Sequence, residues 1–304
     1  MTTTTALSEQ HRAVPASKTV VLTGSVAPYS SLLTRALEAH GHRVIFVANS
    51  QVGRTPSLFG TGVARIEPRE LRVAVEAADV TILLTGLGPV LATVDDAEAL
   101  DIILTASRPD AMLIELSSFG VFGDQGTTIV DEFTTPDPFS GAESMLASEQ
   151  RTLSAGEDMR TVVVRAGLIY GPGGGEIVRA LIAAAHTAGQ SRFVGEAADA
   201  YPLVHQDDLL ALLCTLVEAP NARGIFHAVS ETIEAAGLAQ LVADAAGVTK
   251  VSALTPEELD RLIAPALTSS TLPGRISVRA VNTRGREINW VPLSKSIAAE
   301  LDSA

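Results

Sequence analysis

The chain has 304 residues, 46% hydrophobic and 19% charged, a balance typical of a soluble globular protein with one large α/β domain or a domain and a lobe. Its formal net charge of −13 argues against a nucleic acid or an anionic membrane as partner, since either favours a basic stripe. The single cysteine, Cys214, excludes an internal disulfide framework and indicates a reducing cytoplasm.

From the amino end, residues 1–17 lack the apolar centre of a signal peptide, so we interpret them as a flexible tail. Short apolar runs then alternate with stretches whose apolar residues recur at helical spacing. The first such helix ends at Gly41, a residue suited to a left-handed cap. None of the apolar runs reaches the length of a membrane span. The predicted strands are residues 18–24, 43–49, 80–86, 111–118, 161–167 and 224–230, with a weaker candidate at 63–66.

Strands that are apolar on both faces and separated by helices predict a parallel sheet covered on both sides. Right-handed crossovers make such a sheet doubly wound, and its ligand binds beyond the carboxyl ends of the strands. From Gly171 the pattern is less regular, and "GPGGGE" opens an apolar helix that reaches about Ala188. The later segments are expected to form a smaller lobe over the ligand edge of the sheet.

The turn after the first strand, "TGSVAPYSS", has the position of a dinucleotide-binding turn, where small residues let the backbone approach a pyrophosphate at a helix N-terminus. Gly24 suits the tight turn, Ala27 and Ser30 occupy the other two glycine positions, and Pro28 suits a first helical turn. The alternative is a strand–helix turn that binds no ligand.

The end of the second strand distinguishes NAD from NADP. A carboxylate there would bind the ribose 2′-hydroxyl of NAD. Asn49, Ser50 and Arg54 stand there instead, and this set favours NADP(H), although Arg54 is also compatible with a solvated loop charge. We therefore expect an NADP-binding Rossmann domain over 18–170 and mainly a substrate-binding lobe over 171–304, with segments at about 205–230 returning to the Rossmann domain.

At this point the chain resembles the extended or atypical, epimerase-like side of the short-chain dehydrogenase/reductase superfamily. The resemblance spans most of the chain from Lys18 onward and rests on the order of several motifs: "TGSVAPYS", "ILLTG", "LSSFGVFGD", "VVVRAGLIYGPGGG", "YPLVHQDDLLALL" and "REINWVPLSKSIAAEL". It implies a Rossmann sheet of about seven strands with a small C-terminal substrate lobe.

The resemblance also implies roles for individual residues. Ser118 matches the family's catalytic serine, which here would be a proton relay that also contacts substrate; the alternative is that Ser117 and Ser118 merely end a strand. Thr85 and Gly86 match the turn under the cofactor ribose, and Gly167 and Leu168 match the segment facing the nicotinamide. The full set of expected cofactor-binding residues is Gly24, Val26, Ala27, Pro28, Tyr29, Asn49, Ser50, Arg54, Thr85, Gly86, Leu116, Ser117, Gly167 and Leu168.

The sequence departs from this family at its Tyr-x-x-x-Lys motif. In "SGAESMLASEQ" the tyrosine position falls on Gly141 and the lysine position on Met145. Losing a positioned general acid costs about 10²–10⁴ in rate, whereas orientation supplies effective molarities of about 10⁵–10⁸ M, so reduction remains feasible. Gly141 and Met145 leave an apolar space, and the residues expected to contact substrate are Ser118, Met145, Tyr201 and His205.

Among members without the motif, the chain resembles polyketide-tailoring ketoreductases. That resemblance implies reduction of an aromatic ketone of angucyclinone type in antibiotic biosynthesis, with the proton supplied by a substrate hydroxyl or water. The alternatives are a silent NADP-binding redox sensor and an isomerase or dehydratase. His205 is equally compatible with a structural role, and Asp207 and Asp208 are expected to cap the next helix.

Overall fold

The computed structural model describes residues 16–24, 28–47, 68–84, 94–138, 142–172, 175–255, 258 and 277–302. Its strands, in chain order, are β1 (Thr19–Gly24), β2 (Arg43–Val47), β3 (Val80–Leu84), β4 (Met112–Ser118), β5 (Asp124–Val130), β6 (Arg160–Ala166), β7 (Leu168–Tyr170), β8 (Ser191–Phe193), β9 (Ala200–His205), β10 (Gly224–Ala228), β11 (Glu231–Glu234), β12 (Val251–Ala253) and β13 (Ser277–Ala280). Its α-helices are α1 (Pro28–Ala39), α2 (Pro68–Glu76), α3 (Val94–Ala106), α4 (Glu143–Ser154), α5 (Gly175–Ala188), α6 (Gln206–Glu218), α7 (Ala235–Ala246) and α8 (Ile297–Asp302).

The main sheet of the described residues has six strands in the order β10-β6-β4-β3-β1-β2, all paired in parallel. Chain order reverses at β1, whose neighbours are β2 on one side and β3 on the other. This is the doubly wound Rossmann arrangement predicted from the alternation of strands and helices. The candidate strand at 63–66, which would make a seventh, lies outside the described residues.

Both faces of the central strands are buried because each is covered by helices. On one face, Val20 and Leu22 of β1 pack in a core that includes side chains of α1 and α6. On the other, Val21 packs with side chains of α2 and α3. All five residues of β3 are buried, which explains its unbroken apolar sequence. Each fully buried aliphatic side chain contributes about 1.5–3 kcal/mol to stability.

Three smaller sheets are built mainly from later parts of the chain. β9 pairs with β7 in parallel and with β11 in antiparallel fashion, β8 pairs with β12, and β5 pairs with β13. Side chains of α5, α7, β9 and α8 share an apolar core, which includes Tyr170, Leu203, Leu238 and Ile297. Within the segment at 205–230, β10 pairs with β6 in the main sheet and α6 packs against that sheet.

The edge strand β10 is covered by side chains rather than by another strand. Arg284 Nη1 donates hydrogen bonds to the carbonyls of Arg223 (3.0 Å) and Ile225 (2.9 Å), and the His227 N–H donates to Glu132 (3.3 Å). Exposed N–H and carbonyl groups at a sheet edge can pair with a second chain, and these contacts satisfy three such backbone groups.

No helix among the described ranges is long and apolar enough to cross a bilayer.

Candidate cofactor and substrate site

Strand order reverses at β1, and in doubly wound sheets the ligand binds at such a point, here at the carboxyl ends of β1 and β3. Gly24 ends β1 with φ +105°, in register with Leu84 at the end of β3. A Cβ atom on Gly24 would lie 2.6 Å from the Leu84 carbonyl oxygen, so only glycine fits. Helix α1 begins four residues later at Pro28 and has no acidic residue in its first turn, so the positive end of its dipole is not offset there.

This geometry fits the pyrophosphate of a dinucleotide, which needs close backbone approach and a helix N-terminus. Of the expected cofactor residues, Gly24 ends β1, and Pro28 and Tyr29 begin α1. Val26, Ala27, Asn49, Ser50, Arg54, Thr85 and Gly86 lie outside the described residues, and so does Gly141.

Leu116 and Ser117 lie near the carboxyl end of β4, the strand next to β3, and both side chains are buried. Leu116 is buried in the main core, and the Ser117 hydroxyl donates a 2.6 Å hydrogen bond to Glu149. Any contact of these two residues with a cofactor would therefore come from their backbone. Their predicted part in cofactor binding stays a prediction.

Gly167 and Leu168 connect the main sheet to the lobe. Gly167 donates its N–H to the Ala228 carbonyl (3.0 Å), and a Cβ on Gly167 would lie 2.6 Å from the Pro202 carbonyl oxygen. Because β9 passes so close, glycine is required here. The next side chain, Leu168, is 38% exposed, an apolar surface at the carboxyl edge of the sheet. That this segment faces the nicotinamide stays a prediction.

Ser118 lies at the last residue of β4 and caps the 3₁₀ turn over 119–122. Its Oγ accepts a hydrogen bond from the Gly120 N–H (3.2 Å) and lies 3.3 Å from the Met145 sulfur, to which it donates. Met145 is buried with Phe119, Val121 and other apolar residues. A thioether is a weak acceptor, so the Ser118 hydroxyl is only loosely held and can turn to a stronger acceptor.

Helix α4, where the resemblance placed the Tyr-x-x-x-Lys motif, carries neither residue in its sequence. Tyr170 and Tyr201 lie elsewhere and donate their hydroxyls to the carbonyls of Lys295 (2.8 Å) and Val194 (3.2 Å). Burial raises the pKa of Tyr201 to about 12, and burial together with Glu231 raises that of Tyr170. Neither phenol is therefore a good proton donor at neutral pH.

His205 is buried and caps helix α6. Its Nδ1 accepts the Asp207 N–H (3.1 Å), and its ring packs edge-on against Tyr170 with centroids 5.1 Å apart. Asp207 and Asp208 lie in the first turn of α6, as expected, but the capping hydrogen bond is made by His205 and not by a carboxylate. Asp208 instead accepts hydrogen bonds from Ser230 and from backbone and side-chain groups of 293–294. The cap hydrogen bond and the ring contact of His205 are consistent with the structural alternative for this residue.

The sequence reading missed a buried polar row beneath the site. Ser117, Arg165 and His227 lie in register on β4, β6 and β10, and Glu149 of α4 packs against the first two. Their one sequence signal is that charged or polar residues interrupt otherwise apolar strands. Burial lowers the pKa of His227 to about 4, with nearby Glu132 opposing and Arg165 adding to the shift. No cluster suited to a metal ion occurs among the residues described.

A family model described as the NAD dependent epimerase/dehydratase family matches residues 20–229. The chain belongs to this family. The family is described as NAD dependent, and an epimerase, a dehydratase and a reductase are among the solved structures of similar fold. Cys214 is buried in α6 and takes no part in the site.

Solved structures of this epimerase/dehydratase fold superpose on nearly the whole chain. A human epimerase family protein (isoform 2) with NADPH is 21% identical, with a TM-score of 0.70 and coverage of 94% of this chain and 98% of that one. The dTDP-4-dehydrorhamnose reductase of Bacillus anthracis with NADP is 17% identical, with a TM-score of 0.66 and coverage of 94% and 98%. The UDP-glucose 4-epimerase of Thermotoga maritima is 16% identical, with a TM-score of 0.68 and coverage of 93% and 96%. No curated protein matches the sequence.

Proposed function

We propose that the protein is an NADPH-dependent ketoreductase that reduces a carbonyl of a hydroxylated aromatic polyketide. The observation that carries the proposal is the combination of a dinucleotide cradle at Gly24 with the apolar cluster of Phe119, Val121 and Met145, on the side of the helix that lacks a tyrosine and a lysine. We place this cluster beside the substrate and call it the apolar wall. A polar substrate such as a sugar would gain little binding free energy from contact with this wall. A flat aromatic ketone would bind better, because the contact removes its apolar surface from water.

NADPH is preferred to NADH in this proposal for two reasons. The residues expected at the ribose, Asn49, Ser50 and Arg54, include no carboxylate that would repel a 2′-phosphate. The human epimerase family protein and the Bacillus anthracis reductase, both similar in fold, were crystallised with NADPH and NADP respectively. Gly24, Pro28 and Tyr29 would hold the pyrophosphate at the start of α1.

When bound, NADPH supplies a hydride to the carbonyl carbon. The carbonyl oxygen then needs a proton, and neither Tyr170 nor Tyr201 is suited to give it. A phenol of the substrate that is hydrogen-bonded to the same carbonyl supplies that proton, and water reprotonates the phenolate. Ser118, loosely held by Met145, assists as a relay or as a contact to the hydroxyl. The enzyme contributes orientation and exclusion of water, which are worth about 7–11 kcal/mol of the barrier in favourable cases.

The substrate class proposed is an angucyclinone-type ketone in antibiotic biosynthesis. The individual enzyme that the sequence resembles is the ketoreductase acting on the angucyclinone of simocyclinone. This part of the proposal is supported by the sequence resemblance together with the apolar contacts at Phe119 and Met145.

The test compares NADPH with NADH by calorimetry and then measures NADPH oxidation with hydroxylated aromatic ketones and their methyl ethers. We expect tighter binding of NADPH and oxidation that depends on the free hydroxyl. Full-speed reduction of the methyl ether would refute the substrate as proton source. Binding without oxidation for any ketone would indicate a silent redox sensor.

A second candidate is isomerisation or dehydration, and the observation that favours it is membership of the epimerase/dehydratase family. In that case the cofactor is reduced and reoxidised within one turnover. Product would then form with no net change in NADPH absorbance, which separates this candidate from the ketoreductase in the same assay.

A further inference from the structure

The carboxylate of Glu149 connects three elements whose ends form the proposed site. It accepts a hydrogen bond from Ser117 on β4 (2.6 Å) and a two-point hydrogen bond from Arg165 on β6 (3.1 Å from Nε and 2.6 Å from Nη2), while it belongs to α4 itself. The side chains of Arg165 and Glu149 are 2% and 0% exposed. Their hydrogen bonds are therefore shielded from competing water.

Each connected element carries a residue of the site close to its contact with Glu149. Ser118 follows Ser117 directly, and Gly167 lies two residues after Arg165. Met145 precedes Glu149 by one helical turn, so it lies on the same face of α4. The carboxylate thus fixes the hydroxyl, the apolar wall and the segment facing the nicotinamide relative to one another.

A further hydrogen bond between α4 and β4 strengthens this arrangement. Ser148, adjacent to Glu149, donates its hydroxyl to buried Glu115 of β4 (2.6 Å). Helix α4 is consequently joined to β4 by two short side-chain hydrogen bonds, at Glu115–Ser148 and Ser117–Glu149. Burying two carboxylates and an arginine is costly for stability, and apolar packing would hold the helix at lower cost.

We propose that Glu149 is a positioning residue for the reduction, acting through Ser117 and Arg165. The inference rests on the proposed function. Since the substrate supplies its own proton, the protein's main contribution is orientation, and orientation depends on how rigidly the wall is held. A small displacement of the wall is expected to lower turnover more than loss of the Ser118 hydroxyl does.

The experiment compares the full-length wild type with Ser117→Ala, Ser117→Thr, Ser118→Ala and Thr152→Val at a temperature where all are folded. Thr152 is the matched control, since it lies buried on α4 and its hydroxyl has no hydrogen-bond partner among the residues described. The readouts are kcat and KM for a hydroxylated aromatic ketone and the dissociation constant of NADPH.

We expect Ser117→Ala to lower kcat about tenfold with little change in NADPH affinity, Ser117→Thr to restore much of that kcat, and Thr152→Val to stay within about threefold of wild type. Ser118→Ala should lower kcat less than Ser117→Ala does. A kcat for Ser117→Ala equal to that of Thr152→Val would overturn the positioning role while leaving the ketoreductase intact. A wild type that reduces no ketone would overturn the proposed function, and the positioning role with it.

Discussion

Lowering the pH from 7 to 5 should destabilise the protein through one buried imidazole, His227. Its Nδ1 lies 3.0 Å from the Val281 carbonyl and therefore carries the hydrogen, and its ring packs edge-on against Phe119 and Phe122. Burial lowers the pKa of His227 from about 6.5 to about 4, so the unfolded chain binds a proton in this pH window that the folded chain does not. Stability then falls as the pH falls.

The magnitude follows from the width of the window. About 1.5 pH units separate the unfolded-state pKa from pH 5, and each unit is worth about 1.4 kcal/mol, which gives a loss of about 2 kcal/mol between pH 7 and pH 5. Glu132 contacts the same region, and although burial raises its pKa, hydrogen bonds from Thr283 and Arg284 bring it below its usual value. Its contribution is lost only at lower pH, so it does not account for a change between pH 7 and pH 5.

The assay is urea unfolding of the wild type, His227→Asn and His40→Asn at pH 7 and pH 5. Asparagine retains a donor near Nδ1 but does not titrate, so this variant should be less stable at pH 7 yet lose about 2 kcal/mol less on acidification. His42, whose pKa burial also lowers, is present in both the wild type and His227→Asn and cancels in the comparison of those two proteins. His40 is exposed and serves as the control. Equal pH dependence in His227→Asn and wild type would refute the reasoning.

Three further predictions follow from single contacts. Gly24→Ala should abolish measurable NADPH binding in calorimetry and lower the free energy of unfolding by about 2–5 kcal/mol, because both its φ and the Leu84 carbonyl exclude a Cβ; retained affinity would show that the turn does not meet the cofactor. Arg284→Ala should uncover the edge of β10 and raise the proportion of dimer or aggregate in light scattering, whereas an unchanged monomer fraction would contradict the capping role. Asp208→Asn should cost about 1–3 kcal/mol in thermal unfolding, since the amide cannot accept all the hydrogen bonds from 293–294, and an unaltered midpoint would argue against it.

Much of the fold was predictable because its signals are local. Unbroken apolar runs such as those at β3 and β4 report burial on both faces, and Gly41 with φ +84° ends α1 as its position suggested. The helix from Gly175 to Ala188 ends where its apolar pattern ends. Such features depend on a few consecutive residues, so one sequence is enough to reveal them.

The remainder depends on contacts between distant residues. β5 is mostly exposed and polar, and only its pairing with β13, about 150 residues later, makes it a strand. The sequence around Glu132 is typical of a surface carboxylate, yet this side chain is buried and accepts hydrogen bonds from Thr283 and Arg284. No pattern within a short window could have indicated either contact.

In the candidate site, too, the residues with local signals were predictable and those that depend on distant contacts were not. Gly24 and Gly167 were predictable because glycine marks close backbone approach, and both glycines have that reason here. Glu149 was not, since a glutamate on an amphipathic helix is normally solvated, and only the folded chain brings Arg165 and Ser117 to it. The helix cap made by His205 was likewise not predictable from the sequence.

The most direct test of the proposed chemistry is the amount of NADPH consumed per product formed, measured with one hydroxylated aromatic ketone. Net reduction predicts equal amounts of oxidised cofactor and alcohol throughout the reaction. Product without net oxidation of NADPH would contradict the ketoreductase and assign the protein to the isomerising or dehydrating members of its family.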